Sequence, residues 1–255
     1  MNKIIKSLLP LTLATFMLTG CGNKISFEKH VIPYPTNMET TKDELGADYA
    51  DSRLDHPDTK YYSANNYYSM KPNETLHIVR NFKTYQQTTE YTAGPASTLM
   101  ILHHYGVDDY TEMDIAERTK TDNTTGTTVE NICAFLGDIG LKCNSHADTN
   151  AQFETIEEAE KFFINLIDAD MPIMVNWEDW GGHWQVLIGI DTCGTESCLD
   201  DVMIFADPYD ITDHYQDGYY TYSLGRFFYQ WKEGAMLQKE NPYVQPFIVI
   251  YKDFT

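Results

Sequence analysis

The sequence predicts an α+β domain, and three observations predict it. Helix-period apolar runs gather in the first half of the domain, around residues 94–105, 111–118, 129–136 and 155–167. Strand-type runs dominate the second half: 171–177, 181–191, 202–206 and 247–251. Short turn-rich joints connect those strands, which suits hairpins rather than crossover helices. The chain divides into residues 1–20, a polar stretch 21–75, and the domain itself at 76–255.

Taken in order, residues 76–85 (LHIVRNFKTY) alternate moderately and predict a short strand leading to Gln86 and Gln87. Beyond Thr88-Thr-Glu-Tyr-Thr stand Ala93, Gly94 and Pro95, then Leu99, Met100, Leu102, His103 and Tyr105, closed by Gly106. Proline suits the first turn of a helix and glycine the position past its end, so this is a helix of about three turns. Ala93 falls at its N-terminus, where open N–H groups and the positive dipole end favour an anion. Thr111 with Asp114 three residues on predicts a capped helix. Asp122–Thr128 is a turn-rich loop, and Val129–Leu136 is a helix ended near Gly137 and Gly140. Residues 141–146 predict a strand, and Thr155–Ile167 an amphipathic helix carrying Ile156, Ala159, Phe162, Phe163 and Leu166 on one side. Phe227–Trp231 reads as a short helix opened by Ser223. The chain shows no internal repeat and no glycine motif of the phosphate-cradling kind.

The 255 residues carry a net charge of -20. Residues 1–20 hold Lys3 and Lys6 and no acid, so the remainder is still more acidic. Such a surface repels nucleic acid and anionic headgroups, which excludes nucleic acid as a partner. The first twenty residues have the form of an export signal: a basic start, an apolar run from Leu8 to Leu18, then small residues. Eleven residues are too few to span a bilayer. Leu18-Thr-Gly-Cys21 resembles the bacterial lipobox, which implies cleavage before Cys21 and a lipid on its sulfur. The expectation is an exported, extracytoplasmic protein held on a bacterial membrane through Cys21. Residues 22–73 sustain no period and read as a spacer, with Tyr61, Tyr62, Tyr67 and Tyr68 at its end set to wrap the domain.

A cysteine amidase needs a thiolate at a helix N-terminus, an imidazole to exchange its proton, an orienting carboxylate or amide, and donors for the oxyanion. His183 follows Gly181-Gly182 at the start of an apolar strand. Asp207-Pro208 ends the next strand, and Gln87 lies six residues before position 93. Gln87 is placed to aim its amide at an oxyanion, with the backbone N–H of residue 93 as second donor. These three stretches, Gln87-Thr-Thr-Glu-Tyr-Thr-Ala93-Gly-Pro-Ala, Gly-Gly-His183-Trp and Ala-Asp207-Pro-Tyr, resemble the papain-fold cysteine peptidases related to bacteriocin-leader processing proteases, cysteine peptidase family thirty-nine. The resemblance covers residues 76–251. It implies a papain-like fold, with a nucleophile helix packed on an antiparallel sheet, and a peptide or amide substrate.

The sequence departs from that family at the nucleophile, since Ala93 has no sulfur. In a serine protease, loss of the nucleophile costs about a million-fold in turnover. A natural pseudopeptidase and an inactivated peptidase both fit the sequence. A replacement nucleophile is the third explanation, but no candidate is well placed for it. Thr92 points elsewhere if position 93 faces the site, Ser97 is one turn down the helix, and the other cysteines are on different elements. The rival from another class is a surface peptide-binding or adhesin-like module without catalysis. No cofactor and no metal are called for. Zinc lacks a CxxC pair, and the Asp207, Asp210, Asp213, Asp217 loop lacks EF-hand spacing and reads as a solvated turn. Cys193 with Cys198 across a hairpin, and Cys133 with Cys143, are the natural disulfide pairings, with other pairings open. Trp177, Trp180 and Trp184 are candidates for a groove wall or for core packing.

Overall fold

A computed structural model of the chain describes residues 30–36, 38, 45–47, 60, 65–146, 152–177, 179, 182–211, 215–237 and 244–251. The expectations placed on residues 1–20, Cys21, Tyr61, Tyr62, Trp180, Gly181 and Asp213 lie outside these residues. Among the described residues there are five α-helices: α1 Ala93–His104, α2 Glu112–Arg118, α3 Val129–Asp138, α4 Ile156–Asp168 and α5 Leu224–Leu237. The strands are β1 Leu76–Ile78, β2 Lys142–Ser145, β3 Ile173–Trp177, β4 His183–Asp191, β5 Val202–Ala206, β6 Tyr219–Ser223 and β7 Phe247–Tyr251.

Among the described residues six strands run in the order β2-β7-β3-β4-β5-β6 and β1 joins the same sheet on β4, every pairing antiparallel. β4 is long enough to take two partners along one edge. β3 pairs with its first half, Trp177 opposite His183, and β1 with its second half, Leu76 opposite Asp191. The predicted strand 76–85 is therefore only three residues long. After it the chain turns through Asn81, which holds a positive φ of 56°, and asparagine tolerates that left-handed conformation.

Helix starts follow their caps. Thr111 and Thr155 each accept from the backbone N–H three residues on, while Asp114 and Glu158 reach back to the cap N–H, which completes two capping boxes. Thr128 caps α3 in the simpler way. Ser223 is both the last residue of β6 and the acceptor for Arg226 N–H (3.4 Å), and α5 runs on well past the expected short helix. Strand β6 itself was not expected. Tyr219-Tyr-Thr-Tyr-Ser223 carries the aromatic and β-branched residues of a strand, but Gly218 and the acidic loop before it masked the pattern.

α1 packs on β4, while α5 packs on β3 and β6. Phe163 of α4, Phe227 and Trp231 of α5, Phe205 of β5 and Phe247 of β7 are fully buried. Their rings meet at centroid distances of 5.3 to 6.5 Å, for example Phe227 to Trp231 at 5.3 Å and Trp231 to Phe247 at 6.5 Å. Trp231 Nε1 donates to Pro246 O (3.1 Å), so its polar atom is satisfied.

The stretch read as a spacer is built into the domain where it is described. Val31 forms a parallel bridge with Thr84, and Ile32 N donates to Thr84 O (2.9 Å). Leu45 forms an antiparallel bridge with Thr89. Ile32 and Ala47 belong to the buried set. Tyr67 and Tyr68 pack against the core, as the wrapping expectation had it.

Candidate active site

His183 opens β4 and Asp207 follows the last residue of β5. The register Val186↔Ala206 brings residue 207 alongside Gln185, and His183 lies two residues back on the same face of the sheet. His183 Nε2 donates to Asp207 Oδ1 at 2.7 Å, and Gln185 Nε2 donates to Asp207 Oδ2 at 2.6 Å. Tyr209 N–H is the third donor to the carboxylate and the second on Oδ1 (2.8 Å). Trp177 Nε1 in turn donates to Gln185 Oε1 (2.6 Å), which fixes the amide. The contacts among Trp177, Gln185, Asp207 and His183 are buried, with the His183 and Asp207 side chains 5% and 3% exposed. The carboxylate holds the imidazole proton on Nε2, so Nδ1 is the nitrogen left for proton exchange.

Two ties bring α1 to the same place. Ser97 Oγ donates to Trp184 O (3.1 Å), next to His183. Ala93 lies four residues before Ser97, on the same helix face and about 6 Å nearer the N-terminus. Gly94 faces Thr127, where a Cβ would meet the threonine Cβ at 2.7 Å, and Trp184 Nε1 donates to Thr127 O (3.0 Å). The loop before α1 is fastened to the Asp207 side: Gln86 Nε2 donates to Asp207 O (2.8 Å) and Gln87 N to Pro208 O (2.8 Å).

The N-terminus of α1 differs from the other capped helices. Thr92 makes no cap bond to the helix, and no acid stands in the first turn. Its hydroxyl instead meets Thr89 Oγ1 at 2.8 Å. The positive end of α1 is thus not neutralised by its own cap, which suits a thiolate or an oxyanion.

Several expected roles change. Gln87 Nε2 donates to Thr89 O (2.8 Å) and Glu90 O (3.2 Å), so the amide holds its own loop rather than reaching for an oxyanion. Reversing the amide would set its oxygen against two carbonyls, so this orientation is the sound one; Oε1 is buried without a partner. Ser97 and Thr92, which the sequence does not place well as replacement nucleophiles, are fully buried and engaged as described. Trp177 and Trp184 are buried braces, not groove walls. Asp207, Asp210 and Asp217 do not form a solvated turn. They are buried, Asp210 Oδ2 accepts from Gly218 N (2.9 Å), and Asp217 Oδ1 from Tyr219 N (2.9 Å). Among the described residues no cluster of His, Cys, Asp and Glu is arranged to hold a metal ion. Among the described residues the structure joins neither Cys193 to Cys198 nor Cys133 to Cys143 by a disulfide.

Sequence reasoning missed Gln185 and Glu112. Gln185 was open to discovery, because strand period 2 sets it on the face of His183. Glu112 is the first residue of α2, where an acid normally faces water. Here it is 1% exposed, with Oε1 accepting from Thr88 N (2.9 Å) and Oε2 from Tyr85 OH (3.2 Å). Burial pushes its carboxyl above the ordinary glutamate value, against the opposing pull of these hydrogen bonds.

With this geometry in hand, residues 79–235, more than half of the chain, match the Peptidase_C39 like family. The chain belongs to that family. The matched span of this Peptidase_C39 like protein contains Gln87, Ala93, His183 and Asp207, and its architecture is the papain-like α+β fold. The peptidase domain of Streptococcus ComA, a bi-functional ABC transporter involved in a quorum sensing pathway, is similar over 67% of this chain and 96% of its own, at 18% identity and a TM-score of 0.40. A double glycine motif protease from an AMS/PCAT transporter, solved with its leader peptide, is similar over 66% of this chain and 89% of its own, at 14% identity and a TM-score of 0.41. No curated protein matches the chain.

Proposed function

We propose that this protein is a lipid-anchored, extracytoplasmic member of the family whose domain engages peptide or amide bonds in a papain-like site that lacks its nucleophile. The observation that carries the reading is the buried His183–Asp207 contact at 2.7 Å beside the helix that begins at Ala93. A histidine so oriented has a task when a thiol stands at position 93. It takes the proton on Nδ1, and the imidazolium formed is held by Asp207. With Ala93 the proton-transfer pair and the helix N-terminus remain, while the bond-forming atom is missing. Such a site binds an acyl group without cleaving it, as a pseudopeptidase or an inactivated peptidase does. Oxyanion stabilisation then rests on the backbone N–H groups of the α1 N-terminus, because the Gln87 amide is engaged in its own loop. The lipobox at Cys21 supports the anchor, and the acidic surface agrees with a partner that is neither nucleic acid nor anionic lipid.

The test is Ala93→Cys, with and without His183→Ala, followed by the pH profile of alkylation at residue 93. Fast labelling well below the free-thiol pKa of about 8.5, slowed when His183 is removed, is the expected result. An ordinary thiol profile in both proteins would remove the peptidase mechanism and leave the noncatalytic binding module.

A further inference from the structure

The N–H groups that α1 offers at its start are few. Pro95 carries none, and Ala96 N donates to Thr92 O (3.0 Å) as the first bond of the helix. The first-turn donors are therefore those of Ala93 and Gly94, and the chain leading into them sets their direction. That chain, residues 88–92, is tied within itself. Thr89 Oγ1 meets Thr92 Oγ1 at 2.8 Å and accepts from Tyr91 N (3.3 Å). The Gln87 amide spans Thr89 O and Glu90 O.

Two separate parts of the domain hold this loop. On one side Gln86 Nε2 donates to Asp207 O and Gln87 N to Pro208 O, which fixes it to the end of β5. On the other side stands Glu112 of α2, 1% exposed. Thr88 N donates to its Oε1 at 2.9 Å, and Tyr85 OH to its Oε2 at 3.2 Å. Burial raises the carboxyl, and hydrogen bonds from Thr92, Thr88 and Tyr85 pull against that rise. One carboxyl thus reaches the first residue of the loop and the residue directly before Ala93. An apolar side chain of the same length would fill the space and leave the Thr88 N–H without an acceptor.

We propose that Glu112 is a positioning residue of the site, seating residues 88–92 so that the N–H groups of Ala93 and Gly94 face the carbonyl oxygen of a bound peptide or amide. The inference rests on the peptide-engaging reading above. Glu112 acts through Thr88 and Thr92, on the opposite side of the loop from Asp207. The distance between the α1 N-terminus and the His183–Asp207 pair is then set by two anchors, Gln86 with Gln87 and Glu112.

The experiment uses the full chain with Ala93→Cys and follows alkylation at residue 93 against pH, resolved by peptide mass. Cys133, Cys143, Cys193 and Cys198 lie on other elements and serve as controls within each sample. Glu112→Met is expected to slow labelling at residue 93 by about ten-fold at low pH and to move its profile toward an ordinary thiol. Glu112→Gln, which keeps an acceptor for Thr88 N–H, should restore most of the rate. Rates at the four control thiols should stay the same. A cooperatively unfolding Glu112→Met with the parent's rate and profile at residue 93 would overturn the proposal, as would equal slowing in Glu112→Gln. Should Glu112→Met lose cooperative unfolding, Tyr85→Phe removes one of the holds on the carboxyl, and a rate equal to the parent's counts against the proposal in the same way. His183→Ala keeps the two readings apart. An effect of Glu112→Met with none of His183→Ala leaves the positioning role and removes the peptidase mechanism, and the reverse pattern does the opposite.

Discussion

Gln185 donates to Asp207 Oδ2 at 2.6 Å, on the carboxylate oxygen that His183 leaves open. The carboxylate is therefore held from both sides, and its orientation toward the imidazole depends on a residue that never meets the reacting atoms. Gln185 is a positioning residue. In the Ala93→Cys background, Gln185→Leu is expected to slow alkylation at low pH by about ten-fold and to move the pH profile toward that of an ordinary thiol. Gln185→Asn is too short to span the distance and should behave alike. The change leaves Trp177 Nε1 and Asp207 Oδ2 without partners in the interior, which costs about 1–3 kcal/mol of stability. A purely structural role would lower the unfolding midpoint and leave the pH profile in place.

Glu112 gives a pH prediction. Burial raises its carboxyl in the folded protein above the unfolded value. The folded state then holds a proton that the unfolded state releases. The contribution of Glu112 to stability is complete below the unfolded value near 4.5 and is lost as pH rises through the raised folded value. Glu112→Gln cannot ionise and keeps an oxygen for Thr88 N–H. Urea midpoints across pH 4 to 8 should therefore fall less steeply in Glu112→Gln than in the parent, with the two closest at the acidic end.

Asp201 makes the same argument at another place. Burial, together with Glu160, pushes its carboxyl up to about 7. Stability from this group is present below about 4 and lost as pH rises through 7. Asp201→Asn should flatten that part of the profile, which thermal unfolding at pH 5 and pH 8 measures. An unchanged difference between the two pH values would show that Asp201 does not set it.

Gly218 holds a φ of +80°, and a Cβ there would meet Thr84 Cβ at 2.4 Å. Its carbonyl accepts from Asp207 N (2.8 Å), so the turn also seats Asp207. Gly218→Ala combines a left-handed conformation with a collision between the new methyl group and the Thr84 side chain. It is expected to cost about 2–4 kcal/mol, read from the urea midpoint. Thr84→Gly in the same chain should recover the part due to the collision and leave the part due to φ.

The sequence by itself determined the elements whose causes are local. Thr111 with Asp114 and Thr155 with Glu158 start helices by hydrogen bonds within four residues, and the apolar runs at 171–177, 183–191 and 202–206 leave no other use than buried strands. It also gave His183 and Asp207 as partners, since both stand at ends of strands that a hairpin brings together. Long-range contacts decided the rest. Whether Gln87 turns its amide outward or into its own loop depends on which carbonyls surround it. The burial of Glu112 depends on where α2 lands against the Tyr85–Thr88 segment. Asp210 and Asp217 look like solvent groups in the sequence, yet they hold backbone N–H groups inside. Residues 45–47 carry no period at all, and their place beside Thr89 comes from long-range bonds to their backbone from Tyr209 and Gln216 and to Gln87 O. Polar side chains take their roles from the partners that folding supplies, and the chain order does not encode those partners.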